Sequence, residues 1–247
     1  MIDVAARALL GPVLYAQASR LRRSVVELPE PVGDREGSAG TGAVRLRLLI
    51  AGDSSALGVG APTQEQALSG QIVRELVALT GRTVQWQLVA QIGARSEDVL
   101  KLLKSSVVNA ADVGLVVVGV NDITKEVPLA RALRWRGEIA GVMRARAGVR
   151  HVVFPALPEM EKFPALPQPL AWYAGHHAAR NNSAQAAWAV GQRRVSHVAM
   201  DGVMDPALMA DDGFHPGPGL YAKVGRRLAA HIDSEVLPRL DRNEGRA

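Results

Sequence analysis

Residues 113–118 read Val-Gly-Leu-Val-Val-Val, an apolar run bounded by Asp112 on one side and Gly119-Val120-Asn121-Asp122 on the other. A strand of this composition offers no polar face to water, so it must be covered on both sides. Helices on both faces of a sheet provide that cover, and the rest of the chain supplies strands and helices in alternation. Residues 44–50 form an apolar-rich strand that ends by Gly52. Thr63-Gln64-Glu65-Gln66 has the form of a capping box, and the helix it opens carries Leu68, Ile72, Leu76 and Leu79 along one face. Residues 83–91, 151–154 and 195–200 read as further strands, and 97–104, 128–146, 170–192 and 220–237 as helices. Residues 155–169 form a proline-rich loop. This order implies βαβ units, a parallel sheet and a layer of helices on each face.

In such sheets ligands bind beyond the carboxyl ends of the strands, and the polar exceptions in this chain fall there. Gly52-Asp53-Ser54 follows the first strand, Gly93 the second, Gly119-Val120-Asn121-Asp122 the third, and Asp211-Asp212-Gly213-Phe214-His215 the last. Ser54 sits where an apolar strand becomes a turn, a place from which a hydroxyl reaches solvent. His215 is the general-base candidate. Asp212, three residues earlier with Gly213 between, can reach one ring nitrogen while the other faces a nucleophile. Asn121 is a candidate oxyanion donor, as are the N–H groups of Gly93 and Ser54. Taken singly, each of these is also an ordinary turn, cap or loop hydrogen bond.

Together, in this order, they resemble the SGNH hydrolase superfamily, the GDSL-type serine esterases and lipases. The resemblance runs from residue 44 to about residue 235 and includes Ser54-x-x-x-Gly58 and Gly119-Val120-Asn121-Asp122. Ser55 stands where many members carry Leu. The resemblance implies a flavodoxin-like three-layer α/β/α sandwich with five parallel strands. It implies Ser54 as nucleophile, His215 as base and Asp212 as its orienter, with an oxyanion hole made by Ser54, Gly93 and Asn121. It also implies that Asp53 supports the loop and stays outside the triad. Such chemistry needs no metal or organic cofactor. The expected reaction is hydrolysis of carboxylic esters, with short- to medium-chain acyl groups, through an acyl-Ser54 intermediate. A lysophospholipase, thioesterase or acyltransferase would use the same triad, and a non-catalytic binding protein could share the fold. Leu157, Met160 and Phe163, on the loop after the fourth strand, are expected to border a substrate pocket or else to cap the core.

Other chemistries lack their residues. The chain has no cysteine, which excludes a disulfide scaffold, a Cys-ligated metal and a thiol nucleophile. Gly-x-Ser-x-Gly, a Walker Gly-Lys-Ser/Thr and His-Glu-x-x-His do not occur. The net charge of +5 comes from dispersed arginines with few aromatics, the pattern of a solvated basic surface and not of a nucleic-acid binder. Residues 1–43 are expected to form an N-terminal helix and a linker ahead of a hydrolase domain spanning 44–247. In 4–24, Leu10, Leu14, Ala18 and Leu21 recur at helical spacing, with Arg7 interrupting the stripe and Arg20, Arg22 and Arg23 close by. That helix either packs on the domain or a partner subunit, or lies on a membrane surface. Two prolines and four glycines in 27–43 argue against regular structure there. Met1-Ile2-Asp3 lacks a cationic leader, so a cytoplasmic location is expected, peripheral to a membrane if the helix binds lipid.

Overall fold

The computed structural model describes residues 2–24 and 28–244. Glu27 and the side chains of Arg7 and Arg22 lie outside the described residues. The elements run α1 (Ile2–Ser24), β1 (Glu36–Ala39), β2 (Arg45–Gly52), α2 (Ser54–Leu57), α3 (Leu68–Thr80), β3 (Thr83–Ala90), α4 (Ser96–Ser105), β4 (Val113–Val117), α5 (Val120–Thr124), α6 (Leu129–Ala147), β5 (His151–Pro155), α7 (Leu170–Val190), β6 (Val195–Val198), α8 (Pro218–His231) and α9 (Leu237–Glu244). One π turn, Ile232–Val236, joins the last two helices.

The strands form one sheet in the order β1-β3-β2-β4-β5-β6. The five strands from β2 to β6 are parallel, as expected, and β1 adds an antiparallel edge on β3. This corrects the expectation of five strands and of no regular structure across 27–43. Glu36–Ala39 pairs with Val84–Gln87 because β3 would otherwise leave a row of backbone groups unpaired at the sheet edge. Gly37 suits that strand, since a Cβ there would lie 2.5 Å from the ring of Trp86.

Side chains alternate across the sheet. Leu46, Leu48 and Ile50 of β2 pack with α3 and α8, while Leu49 and Ala51 pack with α4 and α6. β4 is buried on both faces, as its unbroken apolar run requires. A third cluster caps the carboxyl edge, joining the 157–166 loop, the start of α7 and Leu220 of α8.

Thr63 does not open a helix, which corrects the capping-box reading. Thr63 instead bridges Val32, and α3 starts at Leu68 behind an Ala67 cap. The buried Gln64 side chain bonds the Leu57 carbonyl and the Ser69 hydroxyl, anchoring a turn that the helix then leaves. Leu79, expected on the apolar face, is 51% exposed near the helix end.

α1 covers the range its pattern predicts. Leu14 is buried, and Gln17 bonds both sides of the α7 start, giving a hydrogen to the Gln168 carbonyl (2.7 Å) and accepting one from the Leu170 N–H (3.1 Å). Among the described residues no helix is long and apolar enough to cross a membrane.

Candidate active site

The order of the parallel strands reverses direction at β2, which has β3 on one side and β4 on the other. Strand connections diverge at that point and open a crevice at the carboxyl edge. Register brings three loops into it at one level, because Gly52 pairs with both Ala90 and Val117. A side chain at 52 would put its Cβ 2.0 Å from the Val117 carbonyl oxygen, so this close approach requires glycine.

Asp53 ends the strand and caps the four-residue helix α2, its Oδ1 accepting the Ser55 N–H at 2.9 Å. Ser54 is therefore the first residue of a helix, where the backbone N–H has no partner within the helix. The Ser54 hydroxyl lies 3.0 Å from Nε2 of His215. Nδ1 of His215 lies 2.6 Å from Oδ2 of Asp212. Asp212 Oδ1 accepts the backbone N–H groups of Phe214 and His215, both at 2.9 Å, so the carboxylate is held by the loop it orients. Gly213 makes the tight turn between them with φ +61°. Burial alone would raise the Asp212 pKa. The hydrogen bonds from the His215 ring and from these two N–H groups outweigh it and hold the carboxyl below its ordinary value. With Asp212 ionised, Nδ1 carries the hydrogen and Nε2 is left to accept one from Ser54.

Asn121, at the start of α5, borders the same cavity as Ser54 and His215. Its Nδ2 donates to the Ala94 carbonyl at 3.1 Å and to Asp53 Oδ2 at 3.5 Å. Gly93 lies on the turn after β3 with φ +71°, and its carbonyl accepts from Lys125 Nζ at 2.7 Å. It borders neither of the two cavities at this edge. Of the three loop residues singled out after β5, Phe163 lines the cavity that holds Ser54, and Leu157 lines the adjoining one. Met160 is fully buried in the third core cluster and lines neither. Phe163 meets Phe214 edge to face, and Phe214 meets the His215 ring in the same way.

Behind these residues lies a buried polar network. Asp122 accepts the Ser96 N–H at 2.9 Å and its hydroxyl at 2.5 Å, which ties the Gly93 loop to α5. Arg136, with no exposed surface, donates to Asp122 at 3.3 Å and to the Asn181 and Gln185 side-chain oxygens at 2.6 Å each. Burial drives the Asp53 carboxyl up to about 7, and the charge of Asp122 adds to this against the lowering by the Ser55 N–H. Sequence reading missed this network. Arg136 sits in α6 near Arg131 and Arg134 and looks like one more solvated arginine. Asp53, by contrast, supports the loop as the resemblance implied.

Residues 50–223 match the family model described as GDSL-like Lipase/Acylhydrolase family. The GDSL-like esterase Rv1075c of Mycobacterium tuberculosis is 27% identical over 205 residues, which are 79% of this chain. The match spans 64% of that esterase's length. Among solved structures, the lipase Lip_vut3 from a goat rumen metagenome superposes with a TM-score of 0.57 at 16% identity, covering 75% of this chain and 96% of that one. Est24, a carbohydrate acetylesterase from Sinorhizobium meliloti, gives 0.55 at 17% identity over 76% of this chain and 98% of its own. These superpositions show a shared fold.

Proposed function

The chain belongs to the GDSL-like lipase/acylhydrolase family, and from that premise we propose that it is a serine esterase with Ser54 as nucleophile, His215 as base and Asp212 as orienter. One observation carries the reading: two hydrogen bonds run in line from the Ser54 hydroxyl through the His215 ring to Asp212, at 3.0 and 2.6 Å. Ser54 Oγ attacks the ester carbonyl carbon as its proton passes to His215 Nε2. The carbonyl π pair moves onto oxygen, and the oxyanion is held by the Ser54 N–H group and by Asn121 Nδ2. Asn121 engages it by giving up its long contact to Asp53, the weaker of its two hydrogen bonds. The tetrahedral intermediate collapses, the C–O bond to the alcohol breaks, and the departing oxygen takes the proton from His215. Water then attacks acyl-Ser54 with His215 again as base, which releases the acid and restores the hydroxyl.

The substrates in this reading are carboxylic esters with short- to medium-chain acyl groups. The apolar outer pocket, walled by Phe163, Met209 and Phe214, supports an uncharged alcohol or aryl leaving group. Wild type and Ser54→Ala should be assayed on a p-nitrophenyl ester series and treated with a fluorophosphonate probe. Hydrolysis and labelling are expected in wild type alone. Either one persisting in Ser54→Ala overturns the assignment.

A further inference from the structure

A second cavity adjoins the catalytic pocket and is the larger of the two, about 730 Å³ of space including its open side, against about 400 Å³. It lies beneath the carboxyl ends of β4 and β5 and against α8. Ser54, Asn121 and His215 are not part of its wall. The two spaces meet at a waist of seven shared residues, Asp53, Ser55, Val120 and Leu220 together with Pro158, Met204 and Pro216. Apart from Asp53, Ser55 and Tyr221, every side chain on the inner wall is apolar. Tyr221 turns its hydroxyl away to the Val59 carbonyl at 2.7 Å, so it presents only its ring. Leu68 and Tyr221 on its wall are buried, while Met200, Val203 and Val224 are part-exposed.

We propose that this inner chamber is the acyl-chain site, that it takes the straight, uncharged alkyl chain of the ester, and that the small side chain of Ser55 keeps its entrance open. The proposal rests on the serine-esterase reading. The tetrahedral carbon on Ser54 Oγ has three other substituents. Its oxyanion points to Asn121, and its leaving oxygen points to Nε2 of His215, which must protonate it. The remaining substituent is the acyl carbon. The outer pocket contains His215 and the Phe214 wall, so the leaving group occupies that side. The acyl chain is left the direction past Ser55, where the wall holds no hydrogen-bonding demand beyond the waist. The family takes its name from Gly-Asp-Ser-Leu, and this chain has Ser55 at the fourth position. A leucine there adds two heavy atoms, and a branch, to a side chain that lines both spaces.

Each buried methylene contributes about fourfold in kcat/KM when its transfer free energy is fully realised. The test compares p-nitrophenyl octanoate with p-nitrophenyl acetate in wild type, Ser55→Leu and Val224→Trp. The first substitution narrows the entrance and the second fills the far side. The octanoate-to-acetate ratio of kcat/KM is expected to fall at least about tenfold in each. Octanoate binding to Ser54→Ala is measured in parallel by calorimetry, and it should vanish when Ser55→Leu is added. An unchanged ratio in both variants, or no octanoate binding to Ser54→Ala, overturns the chamber assignment and leaves the esterase reading standing. Octanoate binding that is blocked by Ser55→Leu, in a protein that hydrolyses none of the esters, supports the chamber and overturns the esterase reading instead.

Discussion

Asp53 and Ser54 are neighbours in sequence, and their side chains serve opposite sides of one turn. Ser54 faces the cavity and His215, while Asp53 turns inward to the Ser55 N–H and the Asn121 amide. Burial raises the Asp53 pKa to about 7, from an ordinary value of 3.8. Between those two values the folded state holds a proton that the unfolded chain has released. The contribution of Asp53 to stability is therefore present at low pH and declines as pH rises toward 7. Asp53→Asn keeps an acceptor for the Ser55 N–H but cannot ionise. Its melting temperature is expected to rise relative to wild type as pH goes from 5 to 8; a constant difference across that range would contradict the burial argument. At Asn121, replacement by Ala removes one of the proposed oxyanion donors, so kcat on a p-nitrophenyl ester should drop about 10²- to 10³-fold, less than in Ser54→Ala. A loss confined to KM would place Asn121 in substrate binding alone.

At the scale of elements, side-chain hydrogen bonds tie the loops of the candidate site to each other. Asp122 on α5 joins the start of α4 through Ser96, and Arg136 on α6 joins Asp122 to Asn181 and Gln185 on α7. Gly119 completes the joint. It has φ +138°, and a Cβ there would lie 2.5 Å from the Arg136 guanidinium. Arg136→Met leaves Asp122 as a buried charge without its partner, which typically costs about 3–5 kcal/mol. Urea unfolding is expected to show a loss of that order, and a change below about 1 kcal/mol would mean that water or another group compensates Asp122. The helix patterns made α6 and α7 readable one at a time, whereas α5 was read only as the turn after the third strand. Nothing in the sequence said that Arg136 was buried, because burial depends on which helices pack together and not on the arginine's immediate neighbours.

For the whole molecule, α1 is docked through Leu14, Gln17 and Leu21, the last packing on the cluster that caps the carboxyl edge. Gln17→Ala removes two hydrogen bonds at the start of α7, for a net cost of about 1 kcal/mol. In a chain of this length that corresponds to about 2–4 °C in melting temperature. No change in a thermal scan would mean that α1 contributes nothing to the cooperative unit. The parallel order, the covering of β4 on both faces and the placing of Ser54, Asn121, Asp212 and His215 at the carboxyl edge were all legible beforehand. Each follows from local periodicity and from the short, right-handed connections that parallel strands allow. The edge strand β1 was not legible. Its composition is that of a linker, and only the unpaired side of β3 makes it a strand. The residues proposed for acyl transfer were therefore readable in the sequence, because strand ends and a three-residue Asp–His spacing are local properties. Which loop side chains line the cavities was decided by the tertiary structure. Met160 is closed into the core, Leu157 and Phe163 fall on two different cavities, and Ser55 stands between those cavities. Burial and adjacency at that edge are set by segments far apart in the chain, packed at a common level of the sheet.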